Sequence, residues 1–148
     1  MIDEFTRSYY SAVLVAHTFG FVLLAGAIVV FDLRVLGFSK GVPLRALSRL
    51  TLPWCFAALL LVLPSGLLML SLHADELLSS RALQLKLGLI LAAAMNAVFF
   101  RTGPWTTVPA WDTATPAPLA ARASAALSIV LWMAVLACGQ MVGNAIRP

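Results

Sequence analysis

The chain has 148 residues, 61% of them apolar and only 11% charged, with a formal net charge of +4. Soluble domains carry about a quarter charged residues, so this composition excludes an ordinary water-soluble domain and indicates a membrane protein. The basic residues stand at the ends of apolar runs, with no basic, aromatic-lined groove between them, which fits phospholipid headgroups and excludes nucleic acid as a partner.

The amino terminus, MIDEFTR, places Asp3 and Glu4 ahead of Arg7. A cleavable signal peptide begins with a basic stretch, so the first apolar run is expected to be retained, even though Ala25-Gly26-Ala27 imitates a small-residue cleavage site. Four apolar runs follow one another: Tyr9 to Leu36, Leu50 to Leu72, Ala82 to Phe100 and Leu119 to Val142. Each is near the roughly 20 residues that a spanning helix needs. Helix is the expected form, because an isolated strand leaves its backbone groups unpaired in lipid. The expected fold is all-α: one domain over residues 1–148, an antiparallel four-helix membrane bundle.

The first connection carries Arg34, Lys40, Arg45 and Arg49, and the third carries Arg101 and Arg122. Arg7, Arg81 and Arg147 lie on the other side, and Lys86 is inside a span. The side with more Lys and Arg faces the cytoplasm, which predicts both termini outside and the two longer loops inside. Pro64-Ser65-Gly66 predicts a kink or local opening in the second helix, whereas Pro53 falls in its first turn, where proline is tolerated. Trp105 and Trp111 are expected as headgroup anchors in an ordered interfacial loop, with Tyr9 and Tyr10 in the same role at the opposite face. Asp32 and Arg34 are expected to pair locally or to bind headgroups. Gly20, Gly26, Gly66, Ala92 to Ala94, Ala134, Ala137 and Gly139 allow close helix approach. Cys55 and Cys138 fall near opposite faces, too far apart for a disulfide, and read as small buried apolar residues.

The chain has two histidines, His17 and His73. A histidine inside a lipid-spanning segment is costly and marks a candidate site. Counted from the first connection, both reach similar depth; counted from the outer ends, His73 is about two turns shallower. His17, Gly20, Phe21, Leu24 and Ile28 share one face, as do Gly66, Met69, Leu70 and His73. A histidine with a nearby glycine is what a flat porphyrin between helices requires, with imidazole on the iron and space for the ring. His17 and His73 are therefore the candidate axial ligands of one b-type haem, with Gly20, Gly66 and Met69 beside it. Lys86, about 9 Å into its span, needs an anion or oxygen partner: a haem propionate, a quinone oxygen, a lipid phosphate, or Asp75 or Glu76. Each residue also has a plainer reading. His17 can bond a neighbouring helix, His73 can sit at the interface, Lys86 can snorkel outward, and Met69 can simply pack. Asn96 is expected to bond between helices; Gln140 and Asn144 either reach a ligand or face water. There is no CxxCH, HExxH, phosphate-binding glycine loop or acidic metal cluster.

The runs HTFGFVLLAGAIVVFDLRVLG and LQLKLGLILAAAMNAVFF resemble those of a family of small bacterial four-helix integral membrane proteins of unknown function. The architecture is more loosely similar to four-helix b-type cytochromes and to copper-resistance membrane domains. The resemblance implies a multi-pass protein of the bacterial inner membrane. The leading expectation is an electron-transfer subunit with one haem b near the outer leaflet, acting between a periplasmic partner and quinone or another haem, a redox subunit rather than a free-standing enzyme. The alternatives are a cofactor-free structural subunit of a larger membrane complex and, more weakly, a small-solute or metal-ion transporter.

Overall fold

The computed structural model describes residues 2–145, with side chains described for residues 8–75 and 77–142. It is helical throughout: α1 (Ile2–Leu36), α2 (Leu44–Leu72), α3 (Ala74–Ser79), α4 (Arg81–Thr102), a 3₁₀ turn (Pro104–Thr107), α5 (Val108–Trp111) and α6 (Leu119–Ala145). Four segments are long and apolar enough to cross a membrane: Ser8–Leu36, Leu44–Leu72, Arg81–Trp111 and Leu119–Val142. Most of their large apolar side chains point outward, among them Phe19, Phe56, Leu60, Leu91 and Met133, which is the arrangement expected of helices solvated by lipid tails.

α1 ends where Gly37 takes φ +114°, and the Phe38 N–H reaches back to the Leu33 carbonyl at 3.1 Å. That closure needs a residue without a Cβ penalty and satisfies a carbonyl the helix would otherwise leave open. α2 starts at Leu44, six residues before the apolar run at Leu50, so Pro53 lies inside the helix and not in its first turn. The early start has an identifiable cause. Pro43 precedes the helix without a side-chain cap, and the first free backbone N–H, that of Leu44, donates to Asp112 Oδ1 at 2.8 Å from the far loop. A carboxylate at a helix N-terminus also complements the helix dipole.

Arg34 completes this junction. Its guanidinium donates to the carbonyls of Val42 (2.6 Å), Lys40 (3.1 Å) and Asp112 (2.7 Å), and to Asp112 Oδ1 at 3.3 Å. The expected local pairing with Asp32 does not form: Arg34 is buried against Asp112, 78 positions away in sequence. Asp32 is also buried, and its Oδ2 has no hydrogen-bond partner among the described residues. Beneath the junction Val35, Leu44, Val108, Trp111, Ala121 and Ala125 form a core, with Phe31, Phe100 and Trp105 packed on it. Trp111 is thus a core residue and not a headgroup anchor; its indole N–H donates to Thr107 Oγ1 at 2.9 Å inside the loop. Trp105 packs on Phe31 and Phe100, with the Arg101 guanidinium 5.0 Å from its ring.

α1 packs along α2 and along α6, and α6 packs along α4, whereas α2 and α4 have no extensive contact. The four long helices therefore follow the spatial order α2, α1, α6, α4, with a gap between the first and last. α1 and α2 run in opposite directions, as three of their contacts show: Tyr10 with His73, His17 with Ser65, Arg34 with Val42. Gly20 makes the closest approach of this pair, since a Cβ there would lie 2.7 Å from Val62 Cγ2 and 3.4 Å from the Ala58 carbonyl oxygen. On the far side Asn96 of α4 and Ser124 of α6 exchange two bonds, Asn96 Nδ2 to the Ser124 carbonyl and Ser124 Oγ to Asn96 Oδ1, each 2.9 Å. This is the interhelical role expected of Asn96. α2 continues helical through Pro64-Ser65-Gly66. Cys55 and Cys138 are both free thiols.

Candidate functional site

The gap between α2 and α4 opens into a chamber of about 290 Å³. Its floor is α1 and α6, where Phe21 and Val135 pack with Val62 as a second small core. Its walls are α2 and α4, and Leu77, which is buried, and Leu78, which is exposed, line it from α3. The lining is apolar apart from His17, Thr18, Lys86 and Gln140.

His17 is fixed by α2. Its Nδ1 lies 2.9 Å from Ser65 Oγ and 3.2 Å from the Val62 carbonyl oxygen. The Ser65 hydroxyl also reaches the Leu61 carbonyl at 2.6 Å and the Val62 carbonyl at 3.1 Å. In the tautomer that carries its proton on Nδ1, His17 donates to the Val62 carbonyl, and Nε2 of the neutral ring is then an acceptor. The opening that Pro64 was expected to produce has a local counterpart here: Pro64 has no N–H for the Leu60 carbonyl, and side-chain donors engage the next two carbonyls. Gly66 gives the imidazole its place, because a Cβ would stand 3.0 Å from His17 Cε1. The Phe21 ring meets the other side of the imidazole edge-on at 5.1 Å.

Lys86 reaches the same chamber from α4. Its Nζ lies 4.2 Å from the centre of the Phe21 ring, on the opposite helix pair from His17, and a Cβ at Gly139 would come within 3.5 Å of it. Among the described residues no carboxylate pairs with Lys86: the ion pair present is that of Arg34 with Asp112, and Asp75 is exposed. The side chains of Glu76 and Asn144 lie outside the described residues. The structure thus brings His17, Gly66, Met69, Lys86 and Gln140 to one chamber. Ser65 and Phe21, which fix the imidazole, were not among the candidate site residues; the shared helix face of Phe21 and His17, and the serine directly after Pro64, were the available signals.

His73 and Gly20 lie elsewhere. His73 is the hinge residue between α2 and α3, with its ring edge-on to Tyr10 at 4.9 Å and its Nδ1 buried without a hydrogen-bond partner among the described residues. Tyr10 precedes His17 by seven residues, and His73 follows Ser65 by eight, so both helices separate the two imidazoles by two turns, about 10–12 Å. An imidazole nitrogen sits about 2 Å from a metal it ligates, so two axial ligands must face each other within about 4 Å. A bis-histidine haem does not fit this arrangement. Gly20 serves the α1–α2 contact and not the chamber.

A family model, described as a family of unknown function (DUF6644), matches residues 5–145. No curated protein and no solved structure matches the chain. The chain belongs to this family of unknown function, and its four long apolar helices are those of a small four-helix membrane protein.

Proposed function

We propose that this protein is a quinone-binding subunit of a membrane electron-transfer complex, an antiparallel four-helix bundle in the bacterial inner membrane with both termini on the periplasmic side. The observation that carries the reading is that His17 and Lys86, from α1 and α4, line one otherwise mostly apolar chamber, with Lys86 Nζ 4.2 Å from the centre of the Phe21 ring. A ring diol has two oxygens on opposite sides of one flat apolar body. One hydroxyl donates to the bare Nε2 of His17, and the other oxygen accepts from Lys86 Nζ. Oxidation of the diol to the quinone releases two protons and two electrons. His17 is placed to take one proton, and the other leaves for bulk water from the oxygen that faces Lys86. Lys86 offsets the negative charge on that oxygen until the second electron leaves, which is worth more in a water-poor site than in water. The electrons pass to a redox centre of a partner subunit. The haem b expected from the two histidines has no pair of facing ligands to support it.

The test is calorimetric titration of the protein in lipid nanodiscs with a tail-less benzoquinol. Saturable one-to-one binding is expected, weakened at least tenfold in His17→Gln and in Lys86→Met, with thermal stability retained. Uptake indistinguishable from that of empty nanodiscs overturns the reading. A b-type absorption spectrum that disappears in His17→Gln overturns it in favour of haem. The cofactor-free structural reading predicts neither binding nor absorption, and a stable partner on native mass spectrometry.

A further inference from the structure

The chamber has its polar atoms at one end and leucines at the other. His17 and Lys86 sit against the floor formed by α1 and α6. The gap between α2 and α4 is edged by Leu63 and Leu67 on one helix and Leu83 and Leu87 on the other, each pair one turn apart. Leu63, Leu67 and Leu87 belong to the chamber lining and are also exposed on the outer surface, at 60%, 66% and 55%. A side chain can do both only where inside and outside are continuous. The floor is packed at Phe21 and Val135, and Leu77 is buried at one end. Val22 of α1 and Leu78 of α3 line the chamber and are exposed as well, at 55% and 57%. The gap between α2 and α4 is the side with no extensive helix contact across it, so an occupant whose head reaches His17 and Lys86 has a direct way out there, sideways into the hydrocarbon.

Resting on the reading above, we infer that the gap between α2 and α4 is a lateral gate that holds the isoprenoid tail of a long-chain quinone, so that tail-bearing quinones are the ligands for which the protein is built. Unsaturated branched chains and leucine side chains are matched in polarity and width, and no group along the gap demands a polar partner. A phospholipid acyl chain has the same hydrocarbon character. Its phosphate head carries several acceptor oxygens and no proton for Nε2 of neutral His17, so the head distinguishes the two.

The experiment compares a tail-less benzoquinol with the same head carrying two isoprene units, titrated in nanodiscs and expressed per mole fraction in lipid. In the wild-type protein the tail should strengthen binding at least tenfold. Leu67→Trp and Leu87→Trp fill the gap and should abolish that gain, read in each variant as the ratio of its affinities for the tail-bearing and the tail-less compound. Binding of the tail-bearing compound that is unaffected by both tryptophans overturns the gate and leaves the chamber reading standing. Failure of the tail-less compound to bind wild-type protein overturns both. A second measurement needs no variant: a diazirine on the first isoprene unit should crosslink to peptides containing Leu63 to Leu67 and Leu83 to Leu87. Labels confined to the outer faces of α1 or α6, or a co-purified phospholipid that the quinol does not displace, overturn the gate.

Discussion

Arg34 and His17 illustrate two kinds of polar residue in an apolar protein. Arg34 is structural: its guanidinium ties the first loop to the second, and its partner Asp112 also caps α2. Removing it leaves a half-buried carboxylate with no counter-charge, which costs about 3 kcal/mol where burial is substantial. Arg34→Ala is therefore expected to lower thermal stability sharply in a detergent melt, whereas Asp112→Asn, which keeps an oxygen for the Leu44 N–H, should lose less. The Asn96–Ser124 pair gives a smaller expectation, because hydrogen bonds between membrane helices average about 0.6 kcal/mol. Asn96→Ala should shift the melt only slightly, and equal losses in Arg34→Ala and Asn96→Ala would contradict this ranking. His17 could be singled out from sequence, since a histidine in a lipid-spanning run is rare for an energetic reason. Its partners could not. Ser65 and Val62 lie more than forty positions away, and which residue of α2 stands opposite His17 depends on how far the two helices slide past each other. The same unknown slide made His73 an attractive partner on one count of depth and two turns too shallow on the other; the structure follows the second.

The long helices themselves were readable, because about 20 apolar residues in succession leave lipid-spanning helix as the available solution. Their ends were less so. Hydropathy begins at Leu50, but the backbone begins at Leu44, where a carboxylate from the far loop supplies the cap. Glycine spacing was readable as close packing, yet the glycines have different duties. Gly20 lets α1 approach the Val62 turn of α2, Gly66 holds the imidazole, and nothing lies within 4 Å of a Cβ at Gly26. Gly20→Val and Gly26→Val separate these cases. The first forces bulk into the α1–α2 contact and should cost about 1–3 kcal/mol, the range for overpacking. The second should leave the melting temperature close to wild type. Comparable destabilisation in both would mean that helix propensity, and not the α1–α2 contact, sets the cost.

At the scale of the molecule the order α2, α1, α6, α4 explains why a four-helix protein with so small a core has a chamber at all. A closed ring of helices would bury Leu63, Leu67 and Leu87 against one another, whereas this open one leaves them to the lipid and leaves His17 and Lys86 reachable from it. Neither the gap nor the order was readable from the sequence, since hydropathy marks what is apolar and not which apolar face meets another helix. Charge gives the proposed side on which the chamber lies. His17 is close to the end of the bundle that carries the start of α1, the end of α6, α3 and His73; the opposite end carries Arg34, Lys40, Arg45, Arg101 and Arg122. Under the proposed topology, with the basic end in the cytoplasm, a proton taken by His17 would be released to the periplasm, and the proposed electron-accepting partner would have its redox centre near the outer leaflet. Cysteine labelling in spheroplasts tests this, using exposed positions in a background with Cys55 and Cys138 replaced by alanine. Asp75→Cys should react with a membrane-impermeant maleimide in intact spheroplasts, and Lys40→Cys and Thr115→Cys only after lysis. The reverse pattern would place the chamber at the cytoplasmic leaflet and reverse the direction of proton release, while leaving the quinol contacts with His17 and Lys86 as they are.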